Sequence, residues 1–561
     1  MGKQQKGFTR REFVGATLAG AAGLSLFGPS AMASTPKRGG ELIVGVQQLM
    51  LSPDPHRYSG ARFYAIGPTI WEGLLDSPSK GDILKYNRGL TDKPPDYKPM
   101  LAENWEVENG GQRYVFHLKK GVKFHNGKEL DSGDVKFTWE RIKEPKHQAL
   151  NRVLVGGFLK SVETPDRYTV VANMTQPYGA FLSANTWIGS VIIPKDSIPW
   201  GVIWGRTQSF TPPTAAPPGT GPFKCLTWDQ KHEARLEAFK EYRIPGLPYL
   251  DRIRLQVILK PGPRTMALRA GDIHYTEAVD PQWLNDIVKK NNINLFETFT
   301  LEKEGISLSP QISQFVRTIF LNNADYAGSP FADIRVRKAL ACTIDRPTVA
   351  RVLFGELGLP SVQSYHPDVS IWGFKDLPMP KPDIEKAKQL LKEAGYPNGV
   401  DVDFHLNLAF PKSDLLGQII QQMASQAGFR ITLKPGRGST YYDAFYTLKY
   451  DMLLHQLGKE DPIYQWHSYF HGHPLLKGYA KGSGVKDETL DKMLDDMAVG
   501  STEERKAKFR KVIDYIVYDK TYAIPLYLDN NANAWLTKVK NFDPMRYALP
   551  GGCLRDVWLD E

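Results

Sequence analysis

The sequence predicts a mixed fold, α/β or α+β, whose lobes are interleaved along the chain. At 561 residues the chain is too long for one small core, so two or three domains are expected. Strand-like and helix-like segments are mixed throughout the chain, and no repeat at the periods of solenoid proteins interrupts them. The proline-rich residues 211–228 resist regular structure until a strand begins at Pro222, which predicts a crossover between lobes.

The first predicted elements are strands. Residues 39–49 form an apolar run after two glycines, and residues 113–127 alternate apolar and polar side chains before an Asn-Gly pair, which predicts a hairpin. The next segment predicts a helix capped by Asp131 or Ser132, since three apolar side chains recur there on one helical face: Val135, Trp139 and Ile142.

Later helices have clear start and stop signals. One is predicted to begin after Asp383, which can cap it, and to end at Gly395. Another begins with Ser501 and Glu504, which have the spacing of a capping box, and a strand at 522–528 follows it.

The first 33 residues predict an export signal. Positive charges precede an apolar run at 14–27, which is too short to span a bilayer, and residues 31–33 form a small-x-small cleavage site. The adjacent Arg10 and Arg11 resemble a twin-arginine signal, although an ordinary secretory signal would also carry such charges. No cysteine lies near the cleavage site, so we expect a protein of the periplasm without a lipid anchor.

Charge and cysteine content exclude several classes of protein. The formal net charge of +10 is spread along the chain without a dense basic block, so nucleic-acid binding is not predicted. The three cysteines, Cys225, Cys342 and Cys553, are far apart and include no CxxC pair, which gives no support to a zinc ribbon or thioredoxin-type site. The sequence leaves open whether any two of them form a disulfide.

Residues 101–142, LAENWEVENGGQRYVFHLKKGVKFHNGKELDSGDVKFTWERI, resemble the signature of the family 5 extracellular solute-binding proteins. These are the peptide-, dipeptide- and nickel-type receptors of bacterial ABC importers. Six further segments resemble the family in the same order: WEGLL (71–75), GTGPF (219–223), RAGDIHY (269–275), FADIRVRKALACTIDR (331–346), IEKAKQLLKEAGYPNG (384–399) and YAIPLYL (522–528).

The resemblance implies an α/β fold of two lobes, joined by two connecting strands, with an inserted subdomain and a hinged cleft between the lobes. The implied boundaries are residues 1–33 for the signal, 34–75 with 206–300 and 525–561 for lobe I, 76–205 for the inserted subdomain, and 301–524 for lobe II.

The resemblance also implies the function. We expect a monomeric periplasmic receptor that captures a peptide-like, opine-like or oligosaccharide solute and delivers it to an ABC importer permease at the inner membrane. No cofactor is expected, and the absence of GxSxG, HExxH and P-loop patterns predicts that the protein is not an enzyme. A metal or metal-chelate receptor of the nickel type and an exported hydrolase remain the alternatives.

The candidate pocket centres on residues 453–474, LLHQLGKEDPIYQWHSYFHGHP. In peptide-binding relatives an aspartate that pairs with the peptide ammonium takes the position of Gly458, so its absence disfavours an ordinary peptide. The predicted ligand-binding residues are Gln48, Trp187, Tyr441, His455, Gln456, Gly458, Lys459, Glu460, Asp461 and Trp466. No metal site is predicted, but His467, His471 and His473 offer a minority alternative to histidines that end a helix.

Overall fold

The structure is a computed structural model that describes residues 35–47, 49, 54–56, 67–76, 96–147, 149, 152–186, 190–195, 197, 217–229, 231–291, 299–323, 328–367, 370–437, 439–458, 461–472, 483–542 and 554–561. The predicted export signal, including its paired arginines, lies outside these residues. Within them, no helix combines the length and the apolar character that crossing a membrane requires.

Strands and helices are mixed throughout the chain, which confirms the predicted fold class. The strands are β1 (Glu41–Val46), β2 (Leu75–Asp76), β3 (Lys98–Pro99), β4 (Ala102–Glu108), β5 (Arg113–Leu118), β6 (Leu159–Asp166), β7 (Thr169–Met174), β8 (Phe223–Trp228), β9 (Glu233–Ala238), β10 (Arg252–Val257), β11 (Tyr275–Thr276), β12 (Phe299–Leu301), β13 (Ile306–Leu321), β14 (Leu359–Pro360), β15 (Val400–Asn407), β16 (Phe429–Gly436), β17 (Met452–Gly458), β18 (Ala523–Leu536), β19 (Val539–Lys540) and β20 (Trp558–Leu559).

The α-helices are α1 (Gly67–Ile70), α2 (Ser132–Lys143), α3 (Phe181–Ala184), α4 (Pro261–Ala270), α5 (Pro281–Asn291), α6 (Ile334–Thr343), α7 (Arg346–Phe354), α8 (Ile384–Glu393), α9 (Ser413–Ser425), α10 (Ser439–Thr447), α11 (Ser468–Phe470), α12 (Glu488–Met497) and α13 (Thr502–Ile513). A π-helical turn, Ile463–His467, leads directly into α11.

The predicted helix starts are confirmed. Asp131, and not Ser132, caps α2, because its side chain accepts a hydrogen bond from the Asp134 amide. Asp383 accepts in the same way from Lys386 at the start of α8. The capping box of α13 has both of its hydrogen bonds, between Ser501 and Glu504. Each cap satisfies amide groups that would otherwise lack a partner in the first helical turn.

A 12-stranded sheet organises the molecule, in the order β16-β15-β17-β13-β18-β11-β1-β10-β9-β8, with β12 and β14 pairing to β13 and β18. A separate antiparallel sheet, β4-β5-β7-β6, lies within residues 102–174, inside the expected inserted subdomain. The buried apolar side chains form two clusters, one around β1, β10 and the four-stranded sheet, and the other around β15, β16 and helices α6 to α9. The exact lobe boundaries stay a prediction.

The central strands β13 and β18 run antiparallel through both halves of this sheet. Their register breaks between Ile312, which pairs with Asn530, and Val316, which pairs with Leu528, so residues 313–315 lie opposite residue 529. On one side of the break β18 pairs with β11, and on the other side β13 pairs with β17. A break of this kind interrupts the ladder and bends the strands.

The prediction at residues 211–228 falls partly outside the described residues. From residue 217 onward the chain is described, and β8 begins one residue after Pro222, as expected. The role of residues 211–228 as a crossover between lobes stays a prediction. Cys225 and Cys342 do not form a disulfide with each other, and Cys553 lies outside the described residues.

Candidate functional site

The carboxyl ends of two sets of parallel strands point at the register break. In one half β1 is parallel to β10 and β11, and β11 is antiparallel to β18. In the other half β15 is parallel to β16 and β17, and β17 is antiparallel to β13. Both sets therefore run toward the break from opposite sides. Ligands of open α/β sheets bind at the carboxyl ends of the strands, so the candidate site lies here.

Three of the predicted residues lie in β17: His455, Gln456 and Gly458. β17 ends at Gly458, which pairs with Phe315 inside the register break. β1 ends at Val46, two residues before Gln48. Gln48 itself lies outside the described residues, as do four other predicted residues: Trp187, Lys459, Glu460 and His473.

The backbone conformation of Gly458 is one that favours glycine. Its φ of +154° lies in a region that L side chains rarely adopt, and the residue is buried. This conformation favours glycine at the end of β17.

Arg317 and Gln456 form a polar pair at the site. They are direct partners across β13 and β17, and Nη1 of Arg317 donates to Oε1 of Gln456 at 2.7 Å. The guanidinium carbon lies 3.8 Å from the centre of the Phe410 ring, a cation–π contact that holds the guanidinium plane in place. Arg317 is 6% exposed and Gln456 is half-buried. A fixed guanidinium beside an amide suits the recognition of a carboxylate or another oxygen-rich group.

His455 lies on the buried side of the same strand. Its Nδ1 is 2.8 Å from the Tyr441 hydroxyl and its Nε2 is 3.1 Å from the Tyr469 hydroxyl, while the Phe445 ring stacks on it with centroids 4.6 Å apart. Burial, assisted by the charge of Arg317, lowers the pKa of His455 to about 3. His455 is therefore a neutral, fully bonded core residue near neutral pH.

Asp461 begins the helical segment after β17 and forms a buried ion pair. Its Oδ1 accepts from Nη2 of Arg505 at 2.6 Å and from the Ile463 amide at 3.1 Å. Burial disfavours the charged guanidinium, but the neighbouring Asp461 carboxylate holds the pKa of Arg505 above its ordinary value. The Asp461 charge is thus neutralised inside the protein.

Trp466 and Tyr441 are both enclosed by protein. The Trp466 indole is fully buried, donates to Oγ of Ser364 at 2.9 Å and packs against Phe509. The Tyr441 hydroxyl donates to the Leu454 carbonyl at 2.7 Å. Their contact with a solute, like that of Asp461 and the other predicted residues, stays a prediction.

The sequence reasoning missed Arg317, Phe410 and Tyr446 of α10. A charged residue inside the apolar strand segment QFVRTIFL was the available signal for Arg317. On α10, Tyr442 and Tyr446 are 39% and 42% exposed, and their rings stack with centroids 5.9 Å apart. Their i, i+4 spacing places them on one helical face.

His467 and His471 lie at the far end of the helical segment that Asp461 begins. Their rings stack with centroids 4.4 Å apart, and Nε2 of each lies 3.2 Å from Oδ1 of Asp495 on α12. Burial lowers the pKa of His467, which keeps its ring neutral. These three side chains form a group that could hold a metal ion, with one ligand atom from each within 4.8 Å of the others.

Comparison with known proteins agrees with this architecture. The model of the family described as Bacterial extracellular solute-binding proteins, family 5 Middle, matches residues 96–474. The glutathione-binding protein GsiB of Escherichia coli (strain K12) is 27% identical over 400 residues, which covers 71% of this chain and 70% of that protein.

Two solved structures have the same fold. AgaA of A. tumefaciens R10, in complex with agropinic acid, matches with a TM-score of 0.72 at 24% identity, covering 93% of this chain and 99% of that one. DppA of Helicobacter pylori, in complex with the peptide STSA, matches with a TM-score of 0.73 at 20% identity, covering 94% of this chain and 99% of that one. Both are periplasmic binding proteins, and their likeness confirms the two-lobed α/β fold.

Proposed function

The chain belongs to the bacterial extracellular solute-binding proteins of family 5, and we propose that its solute is opine-like or peptide-like and carries a carboxylate held by Arg317 and Gln456. The receptor delivers this solute to an ABC importer permease. The observation that carries the proposal is the Arg317–Gln456 pair, fixed by Phe410 where the strand ends meet.

Three features support a carboxylate as the recognised group. A guanidinium can present two parallel N–H groups to the two oxygens of a carboxylate, and a charge-assisted bond of this kind is about twice as strong as a neutral one. Stacking on Phe410 orders the guanidinium before the solute arrives, so less entropy is lost on binding. Glutathione, agropinic acid and the peptide STSA, which the similar proteins bind, all carry carboxylates.

The chemistry around Gly458 favours an opine-like solute over a peptide with a free amino terminus. A buried ammonium needs a carboxylate partner, and Gly458 cannot supply one. Oδ1 of Asp461 already accepts from Arg505 and from the Ile463 amide. An amine that is substituted or that stays in contact with water would avoid this cost. An oligosaccharide, which carries no carboxylate of this kind, is the second choice.

We further propose that the chain has no enzymatic activity, acts as a monomer and reaches the periplasm through the twin-arginine-type signal at 1–33. His455, the neighbour of Gln456 on β17, has both ring nitrogens within hydrogen-bond distance of tyrosine hydroxyls. A fusion of residues 1–33 to a reporter tests the export route. Export should stop in a host that lacks the twin-arginine pathway and should continue if the signal is an ordinary secretory one.

Calorimetric titration of the mature chain with a matched panel of solutes tests the ligand class. The panel contains an opine acid, its methyl ester, a dipeptide, an N-acetyl dipeptide and a neutral trisaccharide. We expect the opine acid to bind at least tenfold more tightly than its ester, because esterification removes the negative charge that the guanidinium recognises. A hundredfold excess over Kd should add about 2.7 kcal/mol to the free energy of unfolding.

Variants of Arg317 make the test specific. Arg317→Gln removes the charge and Arg317→Lys keeps the charge without the planar fork, so both should weaken binding of the acid by tenfold or more. Arg430→Gln, at an exposed arginine that pairs with Asp401, is the matched control and should bind normally. Equal binding of acid and ester, or unchanged binding in folded Arg317→Gln, would reject the proposal.

A further inference from the structure

We propose that His467, His471 and Asp495 form a zinc site, separate from the solute site, that fastens the helical segment after β17 to α12. The proposed solute recognition uses none of these residues. Two of them belong to the segment 463–471, and the third projects from α12 (Glu488–Met497).

The geometry of the three side chains fits a metal ion. The i, i+4 spacing brings both imidazoles to one helical face, and the bond from the His471 amide to the His467 carbonyl, 3.0 Å, keeps that spacing. Nε2 of each ring lies 3.2 Å from the same Oδ1 of Asp495. With zinc bonds of roughly 2.0–2.2 Å, neighbouring ligand atoms of a tetrahedral site lie about 3.4 Å apart. Small side-chain rotations are therefore enough to admit an ion.

A carboxylate lies behind one of the two imidazoles. A zinc ligand must be a neutral imidazole whose coordinating nitrogen carries no proton. When His471 coordinates through Nε2, its Nδ1 faces Oδ1 of Asp491, which lies 3.9 Å away. Asp491 is itself held by the Gly472 amide at 2.8 Å, so it can orient the ring as carboxylates do behind many zinc-bound histidines.

The burial pattern indicates a structural ion and not a transported one. The side chains of His467 and His471 are each only 4% exposed, whereas the Asp495 side chain is 51% exposed. The exposed carboxylate gives the ion a route of entry and leaves room for a water molecule as a further ligand. The two buried imidazoles and the carboxylate of α12 would bind the ion between two packed segments, which favours a resident ion over one that is released to a permease.

Zinc titration of the mature chain, prepared without a histidine tag and stripped with a chelator, tests the site. We expect one zinc ion per chain and a rise in the melting temperature. Asp495→Ala should lower the zinc affinity at least tenfold, and its half-exposed position makes normal folding the expected outcome. His467→Gln should have the same effect.

Two controls separate this site from other zinc-binding groups. His232→Gln removes an exposed histidine that lies 2.8 Å from Asp229, and it should leave zinc binding unchanged. Arg317→Gln, in the solute site, should also leave it unchanged. The proposal is overturned if the wild-type chain binds no stoichiometric zinc, or if Asp495→Ala and His467→Gln, shown to be folded by circular dichroism, bind zinc as tightly as the wild type.

Discussion

Asp461 and Arg505 form an ion pair, with 2.6 Å between Oδ1 and Nη2, in which both side chains are almost completely buried. The pair joins the start of the helical segment after β17 to α13. Removing one partner leaves the other charge buried without compensation, which typically costs about 3–5 kcal/mol. We therefore expect Asp461→Asn and Arg505→Gln each to lower the free energy of unfolding by about this amount in urea titrations.

An exposed ion pair provides the control for this prediction. Arg430 and Asp401 are 2.7 Å apart, but both side chains are more than half exposed. Pairs of this kind contribute about 0–1 kcal/mol because water already solvates both charges. Asp401→Asn should therefore change the unfolding free energy by less than 1 kcal/mol. An equal loss in Asp401→Asn and Asp461→Asn would contradict the role of burial.

Gly458 should resist substitution by any residue with a side chain. Its φ of +154° is strained for an L residue, so Gly458→Ala should lower the free energy of unfolding by about 1–3 kcal/mol. For the same reason Gly458→Asp should not simply create an ammonium site, because the strain would move the end of β17. Urea unfolding measures the loss.

Gly262 in α4 is the matched control for this substitution. Its backbone is not in the positive-φ region, and an added Cβ would meet only the Asp280 carboxylate at 3.7 Å. Gly262→Ala should keep or slightly raise the stability, since alanine restricts the unfolded chain. If Gly458→Ala is as stable as Gly262→Ala, the conformational argument for Gly458 is wrong.

The sequence predicted local structure better than long-range contacts. The caps Asp131, Asp383 and Ser501 depend on residues three positions apart, so the printed chain contains all the information that they require. By contrast, the contact of Arg317 with Gln456 joins residues 139 positions apart through the pairing of β13 with β17. The strand register decides that contact, and no local pattern reveals it.

The histidines of residues 455–471 show the same difference between local patterns and long-range contacts. His467 and His471 could be paired from their spacing, but Asp495 reaches them only because α12 packs against the segment that carries them. Similarly, His455 and Gln456 were both predicted to contact the solute as neutral hydrogen-bonding groups, and this contact stays a prediction. Adjacent side chains of a strand point to opposite faces, and only tertiary structure shows which face is the core.

His455 should make stability depend on pH in a defined direction. Its pKa falls from 6.5 in the unfolded chain to about 3 in the folded one, so between these values only the unfolded state binds the proton. The stabilisation is fully present above pH 6.5 and is lost as the pH falls toward 3. The expected loss is about 1.4 kcal/mol per pH unit. His56 and His125, whose pKa values burial lowers to about 4, should add to this slope.

Urea unfolding between pH 6 and pH 4.5 isolates the contribution of His455. His455→Gln cannot take up a proton at this position when it unfolds. The slope of its unfolding free energy against pH should therefore be smaller by the contribution of about one proton, whatever the absolute stability of the variant. An unchanged slope in His455→Gln would show that His455 is not neutral in the folded protein.

Gln456 should affect binding of the solute more than it affects folding. It is half-buried, and its Oε1 accepts the hydrogen bond from Arg317 that helps to fix the guanidinium. In Gln456→Leu the guanidinium loses this partner and the site loses the amide, so we expect affinity for the carboxylate solute to fall by tenfold or more in calorimetric titration. A buried donor that loses its acceptor lowers the free energy of unfolding by about 1–3 kcal/mol. The loss of stability in Gln456→Leu should therefore stay within this range.

A second glutamine tests whether this effect belongs to the site. Gln421 on α9 also makes a single long-range hydrogen bond, from Nε2 to the Ile431 carbonyl at 2.7 Å, but it lies away from the strand ends that meet at the register break. Gln421→Leu should lose a similar amount of stability and keep its affinity for the solute. If both variants lose affinity in proportion to stability, Gln456 acts through folding alone. If only Gln456→Leu loses affinity, the Arg317–Gln456 pair is part of the solute site.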